Sequence, residues 1–158
     1  MSSTYPTPPS ATPKEIVCQY AKSASATSEN AAGSLAIYAT GAPDAPKGGD
    51  CDAWSGYGYS WTSSGWDFKA KLTLTYEKPV YVGSVTVAGD YDMCWGGAWL
   101  RNSKTGEEKS ILSPVNKDCT LNIKLEGDFL ADQVILESCG WSWSATDAVE
   151  MCGAPAGK

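Results

Sequence analysis

The sequence contains no histidine, and of its aromatic residues only two are phenylalanine. Without histidine there is no Ser-His-Asp or Cys-His machinery, and the commonest zinc ligand is missing. No C-x-x-C pair occurs, which disfavours zinc ribbons and thioredoxin-like redox motifs. No N-x-S/T acceptor for glycosylation occurs, and no apolar run approaches the length of a membrane span. Excess positive charge is also lacking: the net charge is −6, which argues against nucleic acid and anionic membrane surfaces as partners. No pattern of an ordinary-length helix appears.

What is present is distinctive. Seven Trp and eight Tyr give rings with a polar handle, the kind favoured on half-wet surfaces. Six cysteines (Cys18, Cys51, Cys94, Cys119, Cys139 and Cys152) are even in number and scattered without metal spacing. That pattern reads as three disulfides made in an oxidising compartment, hence a secreted, extracellular or cell-wall protein. Nothing after Met1 resembles a signal peptide, so the chain reads as a module of a longer secreted protein. "STYPTPPSATP" has the composition of an extended linker, which sets residues 1–13 as linker, 14–154 as one binding domain and 155–158 as a tail. At 158 residues the chain can bury a core of its own.

Strand signals dominate from Trp66 onward. Phe68, Ala70, Leu72, Leu74 and Tyr76 alternate with Lys69, Lys71, Thr73, Thr75 and Glu77, a half-buried strand that Pro79 is expected to stop. "VYVGSVTVAG" is a second run. "AWLRN" and "EEKSILS" flank the turn "SKTG", and "CTLNIKLEG", "DQVILES" and "ATDAVEMCG" supply further strands. In residues 14–40, "EIVCQYAKSASAT" suits a first strand and "SENAAGSLAIYATGAPD" a loop or helical turn. Seven or eight such strands make an all-β antiparallel sandwich or barrel.

Alternating strand direction then constrains the cysteines. Cys94, Cys119 and Cys139 fall at one end of the strands with the loop carrying Cys51, and Cys152 falls at the other, which leaves Cys18 as its partner. Three of the fifteen possible pairings survive.

The stretch "GDCDAWSGYGYSWTSSGWDF", Gly49 to Phe68, holds three tryptophans and two tyrosines among Gly and Ser. Trp66 shares the core-facing parity of Phe68 and reads as structural, as do Trp99 and Trp143. Trp54, Tyr57, Tyr59 and Trp61 have no periodic partner. They lie at the end that "DYDMCWGGAW" and "CGWSWSA" also reach, bringing Trp95 and Trp141. Rings fastened by disulfides lose little entropy when they stack on a ligand. Their faces suit the C–H-rich faces of sugars, with Asp90, Asp92 and Arg101 placed to hydrogen-bond hydroxyls. The packing alternative is that Trp beside cystine simply fills a small core.

"ATGAPD…GDCDAW…W…LTLTYEKPVYVGSVTV", followed by "WSATDAVEMCG", resembles galactose-binding-like β-sandwich domains, the superfamily of discoidin-type domains and many carbohydrate-binding modules. The matching positions are Ala39, Gly41, Asp44, Trp66, Pro79, Val80 and Asp147 to Gly153. The resemblance implies an antiparallel jelly roll that binds plant, algal, microbial or glycoprotein glycans as a monomeric module. The aromatic loop and the six cysteines depart from the family pattern; the disulfides are read from the cysteine count, and the lack of a catalytic role from the missing motifs. The resemblance also implies a structural calcium held by Thr40, Asp44 and Glu150 with Asp50 and Asp52 nearby, chemistry that suits a hard oxygen-seeking cation. Within such a fold the strand neighbours imply the pairs Cys94–Cys119 and Cys51–Cys139. Two other functions remain weighed against glycan binding: adhesion to a protein partner in a matrix or cell wall, and glycoside chemistry by a carboxylate pair such as Asp90 and Glu137.

Overall fold

The computed structural model describes residues 15–46, 54–64, 67, 69–91, 94–112, 119–139 and 144–157. Nine antiparallel strands run through them: β1 Val17–Tyr20, β2 Ser23–Ala26, β3 Trp61–Thr62, β4 Lys71–Tyr91, β5 Trp95–Arg101, β6 Glu108–Ser110, β7 Thr120–Lys124, β8 Leu130–Ser138 and β9 Ala145–Pro155. The segment read as a loop or helical turn contains a single 3-10 helix, Ala36–Ala39, whose Ala36 N–H donates to the Glu29 carboxylate at 2.6 Å.

β4 organises the whole. Ala70, Leu72, Leu74 and Tyr76 are all buried, as the alternation predicts. Pro79 does not stop the strand: pairing resumes at Val80 after a register shift that begins at Thr75. A bulge tolerates the missing N–H of proline, and here the Gln19 side chain completes the neighbouring residue, accepting from Lys78 N–H and donating to the Lys78 carbonyl, each at 2.9 Å. The first part of β4 pairs with β2 and β8, the second with β9 and β7. Its two ends meet. Ser138 N–H donates to the Ala70 carbonyl (2.9 Å), and the next residue, Cys139, donates to the Cys94 carbonyl (3.0 Å), three residues past Tyr91.

So folded, β4 contributes to two layers, one of β2, β4, β8, β5 and β6, the other of β1, β3, β9, β4 and β7. Leu72, Leu74, Val134, Leu136 and Leu100 of the first meet Val85, Val87, Leu121, Val149 and Met151 of the second in one apolar cluster. The Tyr76 hydroxyl, fully inside, donates to the Val149 carbonyl at 2.9 Å and fastens one layer to the other. Burial keeps this phenol well above its ordinary pKa, and the charge of Glu150 adds to the effect. The "SKTG" turn joins β5 to β6 as expected, with Gly106 in the left-handed region at φ 78°.

Cys18 and Cys152 lie directly opposite one another on β1 and β9 and are joined, as expected. The other implied pairs are wrong. Cys94 is bonded to Cys139, with Cα atoms 5.4 Å apart, which excludes both Cys94–Cys119 and Cys51–Cys139. The neighbour relations behind those pairs do hold: β7 lies beside the end of β4, and β8 beside its start. What decides the pairing is the other edge of β8, where β5 lies antiparallel and brings the residue before Trp95 against Cys139. Cys119 instead reaches Gly89, whose N–H donates to its carbonyl at 2.8 Å, and is itself disulfide-bonded. Cys51 lies outside the described residues.

Candidate functional site

At the end where β4 returns, three residues stand in one row across three strands. Thr62 of β3 pairs with Ala145 of β9, which pairs with Tyr91 of β4. Asn30 joins them through its N–H, which donates to the Thr62 carbonyl at 2.8 Å. Over this row lies the segment 54–60, and the space between is a cleft of about 310 Å³ lined by Asn30, Trp54, Tyr57, Thr62, Tyr91 and Ala145. Asn30, Thr62 and the two tyrosines are its uncharged polar residues, and Trp54 lines it while keeping its indole N–H out of solvent. That N–H is buried and has no hydrogen-bond partner among the described residues.

The segment itself is held in shape. Trp54 and Tyr57 meet edge to face, their ring centroids 4.7 Å apart and planes at 88°. Gly56 and Gly58, on either side of Tyr57, both take positive φ (111° and 93°), a backbone that places the ring at the crest of the loop. The ring rests on Gly33, where a Cβ would stand 2.2 Å from Tyr57 Cβ. Gly58 N–H donates to the Gly33 carbonyl at 2.6 Å. Tyr57 is 59% exposed and Tyr91 37%, so both offer open surface beside the cleft.

Of the aromatic residues expected to meet a ligand, the structure brings Trp54 and Tyr57 to the cleft. Trp61 and Trp95 are corrections: each is buried to within 1% and packs in the core. Trp61 faces inward from its two-residue strand and donates to the Ser28 carbonyl at 2.9 Å. Trp95 faces inward because the bulge between Trp95 and Gly97 gives it the parity of Ala98 and Leu100. Tyr59 is half-buried and does not line the cleft. Trp99 does pack, but on the outer side of β5, over Gly97 and with the Lys71 ammonium 5.0 Å from its centroid.

Asp90 is a further correction. It is fully buried, and both carboxylate oxygens are engaged, Oδ1 by Ser55 N–H at 3.2 Å and Oδ2 by the Ser60 hydroxyl at 3.1 Å. Glu137 lies opposite Lys71, its carboxylate 3.9 Å from the ammonium. A glycosidase pair of these two carboxylates therefore has no support. Arg101 sits six residues along β5 from Trp95, about 20 Å away at strand rise, facing Glu108 at 4.0 Å. It does not join the cleft. Asp92, Trp141, Trp66, Phe68, Trp143, Asp50 and Asp52 lie outside the described residues. Asn30, Thr62, Tyr91 and Ala145 were missed, since none carries a sequence signal and only strand pairing assembles them.

Of the expected calcium ligands, Thr40 and Glu150 have neighbours of their own. The Thr40 hydroxyl donates to the Ile37 carbonyl at 2.6 Å. Glu150 lies with the sulfurs of Cys18 and Cys152, which as a disulfide offer no thiolate to a metal. Asp44 instead meets Asp147, a residue the sequence reading placed only in a motif. Asp147 falls in a bulge of β9, between Thr146 opposite Gly89 and Ala148 opposite Ala88, and bulges re-aim side chains. Its oxygens accept from Asp44 N–H at 3.3 Å and Ala45 N–H at 3.2 Å. Burial pushes its carboxyl up to about 6, against the two backbone donors, and the Asp44 carboxylate adds to the rise. Two carboxylates so close, one of them buried, fit a hard cation: a positive ion between them would favour the ionised form of both.

No protein-family model and no curated protein matches the chain. Solved structures do. The family 32 carbohydrate-binding module of Clostridium perfringens NanJ, in complex with galactose, is similar with TM-score 0.61 and 13% identity over 86% of this chain and 99% of that one. Chitosan-binding module 1 of a chitosanase/glucanase from Paenibacillus sp. IK-5 gives 0.58 and 14%, over 82% and 92%. CpGH89CBM32-4 from Clostridium perfringens, in complex with GlcNAc-α-1,4-galactose, gives 0.53 and 14%, over 89% and 90%. The chain therefore has the galactose-binding-like β-sandwich fold seen in those carbohydrate-binding modules.

Proposed function

We propose that this chain is a non-catalytic, secreted carbohydrate-binding module, residues 14–154, that takes a sugar in the cleft between the Trp54–Tyr57 segment and the Thr62–Ala145–Tyr91 row. The observation that carries this reading is the cleft itself: ring walls, uncharged polar contributors and a single volume of about 310 Å³. Ligand cavities span roughly 300–1,000 Å³, so this one suits one or two sugar residues. The ligands of the structural neighbours, galactose, GlcNAc-α-1,4-galactose and chitosan, belong to the same chemical class. Fold alone does not assign function; the rings at the loop end supply the site argument. A structural calcium at Asp44 and Asp147 would hold the loop 41–46 against β9, where it neutralises the two carboxylates.

A glycan array run with calcium and again with chelator tests the proposal. Binding to defined sugars supports the module. Blank arrays together with capture of a protein partner would favour adhesion and overturn it.

A further inference from the structure

Asp90 precedes Tyr91 at the end of β4. It sits at the base of the segment that carries Trp54 and Tyr57, with no exposure to solvent. Its oxygens take the N–H of Ser55 and the hydroxyl of Ser60, so one carboxylate grips both ends of that segment. Four of the seven residues from Trp54 to Ser60 are Gly or Ser, a composition that leaves a free loop many conformations. Between the two grips, the Gly33 carbonyl holds Gly58 N–H at 2.6 Å and the Gly33 Cα leaves space for the Tyr57 ring.

We propose that Asp90 is a positioning residue for ligand binding, a buried latch that keeps Trp54 and Tyr57 in their edge-to-face arrangement before the ligand arrives. This rests on the reading of the cleft as a sugar site. The carboxylate itself never reaches the ligand. Its hydrogen bonds are shielded from water, and breaking them would leave buried polar groups without partners. Loss of the latch lets the segment leave its binding arrangement. If the competent fraction falls to about a tenth, the apparent Kd rises about tenfold without any lost ligand contact.

The test uses two variants, Asp90→Ala and Ser60→Ala; the second removes one grip only and keeps the buried carboxylate hydrogen-bonded to Ser55. The control is Asp132→Asn. Asp132 likewise accepts the N–H and hydroxyl of one serine, Ser103, on the β5–β6 hairpin. Hydrogen exchange of the Ser55 and Gly58 amides, near-UV circular dichroism and affinity for galactose and chitosan oligosaccharide are measured on the full chain. The latch predicts exchange of both amides at least tenfold faster in Asp90→Ala and a smaller rise, larger at Gly58 than at Ser55, in Ser60→Ala. It also predicts an altered near-UV band and about tenfold weaker sugar binding in Asp90→Ala, while the amides of Val85 and Val149 keep their protection in both variants. Asp132→Asn changes none of these. Unchanged loop amides, or loop and strand amides rising together, would overturn the latch. Should the unaltered protein bind neither sugar, the cleft reading fails, and exchange still decides whether Asp90 holds the loop.

Discussion

Cys94 and Cys139 are joined twice, by their sulfurs and by a 3.0 Å hydrogen bond from the Cys139 N–H to the Cys94 carbonyl. Ser144 adds a third tie: its hydroxyl accepts from Cys94 N–H at 3.0 Å and donates to the same carbonyl. The clasp gathers the start of β5, the end of β8 and the approach to β9 at the cleft end of the sandwich. It also sets the first prediction. An unreduced peptide map should show Cys18–Cys152 and Cys94–Cys139, and the cysteine count leaves Cys51 as the partner of Cys119. Opening the Cys18–Cys152 link, which spans 134 residues, should cost about 5 kcal/mol, and the Cys94–Cys139 link, spanning 45, about 4 in the chain-entropy model. Urea unfolding of the paired Cys→Ala variants measures both. A Cys94–Cys119 peptide would contradict the fold.

The second prediction concerns the cleft. Trp54→Ala and Tyr57→Ala should each weaken sugar binding tenfold or more, since ring stacking of a comparable kind is worth about 1–3 kcal/mol, with little change in melting temperature. Trp61→Ala and Trp95→Ala should do the opposite, costing about 3–5 kcal/mol of stability because they empty the core. Calorimetric titration beside thermal melts separates the two sets. Equal stability losses in all four would make the cleft rings packing elements.

The third concerns pH. The Asp147 carboxyl is raised from 3.8 to about 6 in the folded protein, so between these values the folded state binds more protons than the unfolded state. Stability from this group is fully present below about 3.8 and is lost as pH rises to about 6. Melting temperature in chelator, followed across that window for the parent and Asp147→Asn, should show a component of the slope in the parent alone. Calcium should raise the parent's melting temperature at neutral pH by binding the folded state, and have a smaller effect on Asp147→Asn. Identical profiles for the two proteins, with no response to calcium, would remove Asp147 from the cation site.

The fourth tests how the layers are fastened. Tyr76→Phe deletes the hydroxyl that donates to the Val149 carbonyl and should cost about 1 kcal/mol, seen as a lower urea midpoint with an unchanged slope. Loss of cooperativity instead would mean that this bond organises the sandwich and does not merely stabilise it.

The sequence by itself determined the local features. Alternation over Ala70 to Tyr76 is a property of one strand and its two faces, and it predicts burial correctly. The turn before Gly106 is equally local, and Cys18–Cys152 follows from strand direction. The likeness to sugar-binding sandwiches rests on motif order and reached the right fold. Tertiary structure decided everything that depends on which strand covers which residue. Bulges between Val82 and Ser84 and between Trp95 and Gly97 reset parity, so alternation cannot be carried across them, and Trp95 turns inward. Trp54 and Trp61 sit in one Gly- and Ser-rich stretch with no pattern to separate them, yet one walls the cleft and the other fills the core. Cys94 has three possible partners, Cys51, Cys119 and Cys139, until β5 docks on β8. Asp44 and Asp147 lie 103 residues apart and meet only because β9 bulges beneath the early loop. Alternation and turn chemistry act within a few residues, whereas burial, disulfide choice and shared carboxylates are relations between segments, fixed only when the layers close.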